Sequence, residues 1–129
     1  MGQPGAKEND TITAVDLHII LVPALVPVPT PIPHPFSGML DGNLSTNVNI
    51  MGKAAATVGS TATNKPSHIP IGGPFAKPPT NQGRIVMGSA TVFINSKPAA
   101  RSGDIALTCN DPVDLPVGTV TAAGSVMIG

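Results

Sequence analysis

Three histidines and one cysteine are the only imidazole and thiol groups in the chain: His18, His34, His68 and Cys109. Three nitrogens and one sulfur make up a closed tetrahedral set, the coordination of a structural zinc ion. Their intervals of 16, 34 and 41 residues match no local zinc-finger spacing, so a shared site has to be assembled by the fold. Taken singly, each residue has a plainer reading. His18 lies among Leu17, Ile19 and Ile20 and reads as a buried, hydrogen-bonded histidine. His34, between Pro33 and Pro35, and His68 read as loop residues, and a free cysteine is commonly a small buried apolar side chain.

Other chemistry is thin. Arg101 and Asp104 could form a catalytic pair, but read better as a turn and salt-bridge pair. Neither G-x-S-x-G nor H-E-x-x-H occurs, and no serine or threonine has a histidine in a nucleophile pattern. A zinc hydrolase needs an open coordination position and a general base. Using all three histidines and the cysteine leaves no open position, and the single glutamate, Glu8, sits in a polar segment. The chain is expected not to be an enzyme.

The elements that would position these groups are short strands. Hydrophobic residues make up 41% of the 129-residue chain, but the only aromatics are Phe36, Phe75 and Phe93, so the core is aliphatic. With 14 glycines and 15 prolines, turns must be frequent and helices scarce. A charged fraction of only 11% argues against disorder, which goes with high charge and low hydrophobicity. Val- and Ile-rich segments at 47–51, 85–87, 90–95 and 125–128 read as strands, which makes the expected class all-β. The proline-rich stretch 26–35 is expected to be extended or polyproline-like.

Seven basic residues balance seven acidic ones, and without a basic patch or interleaved aromatics nucleic-acid binding is not expected. The apolar run Leu17–Val28 contains Pro23 and Pro27 and is too short to span a bilayer. Acidic Glu8, Asp10 and Asp16 precede it, where a signal peptide would carry basic residues, so synthesis in the cytoplasm without a signal peptide is expected. One cysteine cannot form an internal disulfide, and a small, thin core calls for another staple such as a metal or a partner.

The chain repeats. A shift of 44 residues superposes Ser45, Val48, Ile50, Lys53, Ala55, Ala56 and Gly59 on identical residues at 89, 92, 94, 97, 99, 100 and 103. A degenerate third copy, Pro4 to Asp10, aligns with Pro98 to Asp104, and Ser125–Ile128 resembles the strand that precedes the motif elsewhere. The third module is thus expected to be split across the termini, with residues 5 and 128 close together. His18 lies eight residues after Asp10, His68 eight after Ser60 and Cys109 five after Asp104. Each excursion between modules therefore carries one candidate ligand soon after its start, and His34 adds a fourth from outside the repeat.

Pro98-Ala99-Ala100-Arg101, set between Gly88–Asn95 and Ser102-Gly103-Asp104, resembles the PAAR-repeat family, most strongly over 85–110 and more weakly over 42–60. The resemblance implies a small pointed cone of β-hairpins, one domain over 1–129, that caps the trimeric VgrG-type spike of a type VI secretion system or a related phage-tail-like particle. It implies a zinc ion near the apex held by His18, His34, His68 and Cys109. The partners implied are one spike trimer per tip, with transient contact with a target membrane; carrying an effector as cargo is the alternative role. The tip would travel with the injection particle to the outside or into target cells. A pseudo-threefold base docked on a trimer is expected to expose apolar side chains in the isolated protein.

Overall fold

Small residues and turn chemistry build one short hairpin three times. The structure, a computed structural model, describes residues 2–129; Met1, where the expected single domain begins, lies outside them. Its strands are β1 (Gln3–Pro4), β2 (Thr11–Val22), β3 (Val28–Gly42), β4 (Asn49–Ile50), β5 (Lys53–Ala54), β6 (Thr61–Asn64), β7 (Gln82–Ile85), β8 (Phe93–Ile94), β9 (Lys97–Pro98), β10 (Ile105–Thr108), β11 (Leu115–Thr121) and β12 (Met127–Ile128). No helix occurs among the described residues, in agreement with the all-β expectation.

The pairs β4/β5, β8/β9 and β12/β1 have equivalent registers: Ile50 faces Lys53, Ile94 faces Lys97, and Ile128 faces Gln3. The termini therefore complete the third hairpin, as the split repeat predicts. Met51 and Gly52, and likewise Asn95 and Ser96, have positive φ, which a two-residue hairpin loop matched to strand twist requires. Ile50, Ile94 and Ile128 are buried together with Ala55 and Ala99.

Beyond each hairpin the chain enters a ring. The Ala6 N–H donates to the Ala100 carbonyl at 2.9 Å, Ala100 to Ala56 at 3.0 Å, and Ala56 to Ala6 at 3.0 Å. This cyclic arrangement is a pseudo-threefold axis made of backbone. All three alanines are fully buried, because only small side chains let three strands approach one line. A turn then leads out of the ring, and Asp10 Oδ2, Ser60 Oγ and Asp104 Oδ2 accept from the N–H of Lys7, Thr57 and Arg101 at 3.1, 3.0 and 2.7 Å. Arg101 also contacts Asp104 at 2.8 Å through its guanidinium, and Lys7 repeats this with Asp10 at 3.0 Å. The Arg101–Asp104 pair is thus part of a repeated turn.

From the ring rise three longer hairpins, β2/β3, β6/β7 and β10/β11, which close into a six-stranded barrel in the order β10-β11-β2-β3-β6-β7. Ile12, Phe36, Leu40, Ala62, Ile85, Ala106 and Val120 fill it. Gly83 makes room for the one buried phenylalanine: a Cβ there would lie 3.2 Å from Phe36 Cζ.

The β2/β3 hairpin pairs without interruption from Thr11–Met39 to Val22–Val28. The proline-rich stretch is therefore mostly strand. Pro29, Pro31, Pro33 and Pro35 alternate with Thr30, Ile32 and His34, so the missing N–H groups all fall on one edge. The residues between them keep the donors that a ladder to β2 needs.

Candidate metal centre

The alternation of β2 places Asp16 and His18 on the same face, and both are fully buried. At about 3.3 Å per residue, His18 lies roughly 23 Å along the strand from Thr11, well out from the ring. His34 stands on β3, His68 in the segment after β6, and Cys109 directly after β10. The three outgoing strands β2, β6 and β10 thus each deliver one of the groups singled out in the sequence.

These groups converge. The His18 and His68 ring centroids are 4.8 Å apart, His18 and His34 5.4 Å, and His34 and His68 5.5 Å. Three imidazoles around one tetrahedral zinc, with Zn–N near 2.05 Å, would have centroids about 5.2 Å apart. Donor atoms of Asp16, His18, His68 and Cys109 all lie within 4.8 Å of one another. His34 is not one of that group, although its ring packs against both other histidines. Cys109 Sγ is 3.7 Å from His18 Nε2, close to the edge of about 3.6 Å between sulfur and nitrogen on a tetrahedral zinc.

Asp16 was missed by the sequence reading. Its Oδ2 lies 2.9 Å from His68 Nε2 and accepts from Cys109 Sγ at 3.4 Å. Its Oδ1 accepts from Thr108 Oγ1 and, at 3.4 Å, from Asn110 Nδ2. The signal that could have found it is the spacing Asp16-Leu17-His18: an acid two residues from a histidine in a strand shares its face.

Two of the histidines have the surroundings of metal ligands. His34 Nδ1 donates to the Ile32 carbonyl at 2.8 Å, which can only accept, so Nε2 carries a lone pair. That Nε2 is buried with no hydrogen-bond partner. His18 Nδ1 also lacks one; it lies 3.5 Å from Asp111 Oδ2, whose carboxylate accepts from the Ile19 N–H at 2.8 Å. An outer carboxylate facing the far nitrogen of a histidine is the usual surrounding of a metal ligand.

Electrostatics are set by burial. Desolvation lowers the His18 pKa, reinforced by the neighbouring His68 and opposed by Asp111 and Asp16, which favours the neutral, metal-binding imidazole. The Cys109 thiol is pushed up to about 11, first by burial and then by the Asp16 charge, so without a cation it keeps its proton. A cation would reverse that, since a coordinated thiol is deprotonated outright.

A cleft of about 340 Å³ opens beside the cluster, between His34 and Pro35 on β3 and the 64–71 segment. His34 and His68 are in its wall, and Lys65 lies at its lining.

A family model described as PAAR motif matches the chain twice, over residues 37–114 and 75–129. No curated protein matches it.

Proposed function

This chain belongs to the PAAR motif family, structural spike-tip proteins of type VI-like injection systems and not enzymes, and from that premise we propose that residues 1–129 form one tip domain, a single copy of which caps a VgrG-type spike trimer. The family implies the spike partner and membership of a secreted apparatus. The observation that carries the one-to-three stoichiometry is the cyclic hydrogen bonding of Ala6, Ala56 and Ala100. A trimer ends in three equivalent strand edges around an axis, and one chain can meet all three only if its own base repeats three times.

The hairpins of that base expose apolar side chains. Phe93 and Met127, at equivalent positions in β8 and β12, are each 57% exposed, and Met51 is 55% exposed. Burying them against the spike would remove apolar surface from water and cover strand edges that otherwise invite aggregation. Within the particle the tip concentrates the force of contraction on a small area of the target envelope.

At the far end the proposal places one zinc ion, held by His18, His34, His68 and Cys109. The donor set supports it: three imidazoles at the centroid spacing of a tetrahedral site, an unpartnered buried Nε2 on His34, and a thiol. Bound zinc ties β2, β3, the 64–71 segment and β10 together, and structural zinc contributes about 10–16 kcal/mol of apparent binding free energy in small domains. The apex then resists fraying under load.

Co-sedimentation with the cognate spike tests the capping role. The wild-type chain is expected to travel with the spike, and Phe93→Asp to remain folded but lose binding. Absence of wild-type binding when both proteins are folded refutes the proposal.

A further inference from the structure

We infer that Asp16 is itself a donor to the metal, binding through Oδ2 alongside the three histidines and Cys109; the inference rests on the metal reading above. The two carboxylate oxygens have different surroundings. Oδ1 is held by Thr108 Oγ1 and Asn110 Nδ2, whereas Oδ2 meets only His68 Nε2 and Cys109 Sγ, both candidate ligands. One oxygen anchored by hydrogen bonds and the other aimed into a donor cluster is how a ligating carboxylate is oriented.

The spacings agree. Oδ2 lies 3.4 Å from Cys109 Sγ and 2.9 Å from His68 Nε2; with five donors on one zinc, an oxygen and a nitrogen at right angles are about 2.9 Å apart and an oxygen and a sulfur about 3.1–3.8 Å apart. An outer carboxylate would instead face the nitrogen of His68 turned away from the cluster. That nitrogen, Nδ1, already lies 3.3 Å from Asn64 Nδ2.

Charge gives an independent reason. Asp16 is fully buried, and its one ion-pair partner among the described residues is His68; no lysine or arginine reaches it. A carboxylate buried without a compensating cation is strongly disfavoured. A divalent ion bound by one carboxylate, one thiolate and three neutral imidazoles leaves a centre of zero net charge. The same count predicts that the site disfavours monovalent ions.

The test loads the full-length chain with cobalt(II) in place of zinc and reads the visible d–d bands, which are intense for four donors and weaker, though not as weak as for six, for five. Wild type is expected to show a thiolate charge-transfer band with weak d–d absorption. Asp16→Asn should keep the thiolate band, gain d–d intensity and bind zinc at least ~10-fold more weakly. Asp16→Glu should move the spectrum back toward wild type. Intense bands that are the same in wild type and Asp16→Asn overturn Asp16 as a donor while leaving the metal reading intact. If wild type takes up neither cobalt nor zinc, both readings fall. Should Asp16→Asn not fold, the wild-type intensity decides: weak bands support the fifth donor and intense bands refute it.

Discussion

Phe36 joins the barrel core to the metal cluster, and its replacement by alanine measures how far each supports the other. The ring is 2% exposed. It packs where Gly38 and Gly83 leave space, with Cε1 and Cζ at 3.1 and 3.2 Å from the positions a Cβ would occupy, and its centroid is 6.1 Å from that of His68. Those glycines have no side chains to collapse into the gap, so Phe36→Ala should cost about 3–5 kcal/mol, the full range for a buried phenylalanine. For a domain of this size that is a fall in Tm of about 12–20 °C. Free zinc at a hundred times Kd returns about 2.7 kcal/mol. The variant should therefore regain part of its loss with zinc and give up about 2.7 kcal/mol when a chelator removes it. Urea denaturation followed by far-UV circular dichroism, with and without chelator, reads both. A loss below about 1 kcal/mol, or a midpoint insensitive to chelator, would refute the coupling of core and apex.

Other expectations concern the base, the solvent edge and pH. Ala56→Val and Ala100→Val should each lose about 1–3 kcal/mol by overpacking the axis, and similar losses at the two positions in urea titrations would reflect their equivalence. Pro31→Val restores an N–H on the open edge of β3 and should promote self-association, visible by light scattering, with little change in midpoint. Without metal, stability should fall on both sides of neutrality. His18 has a lowered pKa, so its contribution is present above 6.5 and lost as the pH falls. Cys109 is raised from 9.0 to about 11, so its contribution is present below pH 9 and lost as the pH rises toward 11, on the order of 2 kcal/mol. Urea midpoints from pH 5 to 11 check both limbs, and Cys109→Ala should flatten the alkaline one.

The base was the most legible part in the sequence. Its geometry forces particular small residues at particular spacings: Ala56 and Ala100 at the axis, Ile50 and Ile94 beneath it, and Gly59 and Gly103, both at positive φ, in the exit turns. Such constraints survive as identities at a fixed offset, even in a copy divided between the termini. The barrel left a weaker trace. Its longest hairpin combines an apolar run with a proline-rich one, and neither alternates in polarity, because β3 presents exposed prolines and buried Phe36 and Leu40 in turn. Proline reads as a strand breaker until its positions are seen to share one edge. The histidines and cysteine were found by type and by repeat phase. Asp16 was not, since an acid in an unrecognised strand looks like solvent-facing charge until its neighbours close over it.

Native mass spectrometry of the zinc-loaded tip mixed with its cognate spike tests the central claim most directly. The account predicts one dominant species: three spike chains, one copy of this chain and one zinc ion. Three tips per spike trimer, or spike trimers that remain bare beside folded tip, would contradict it.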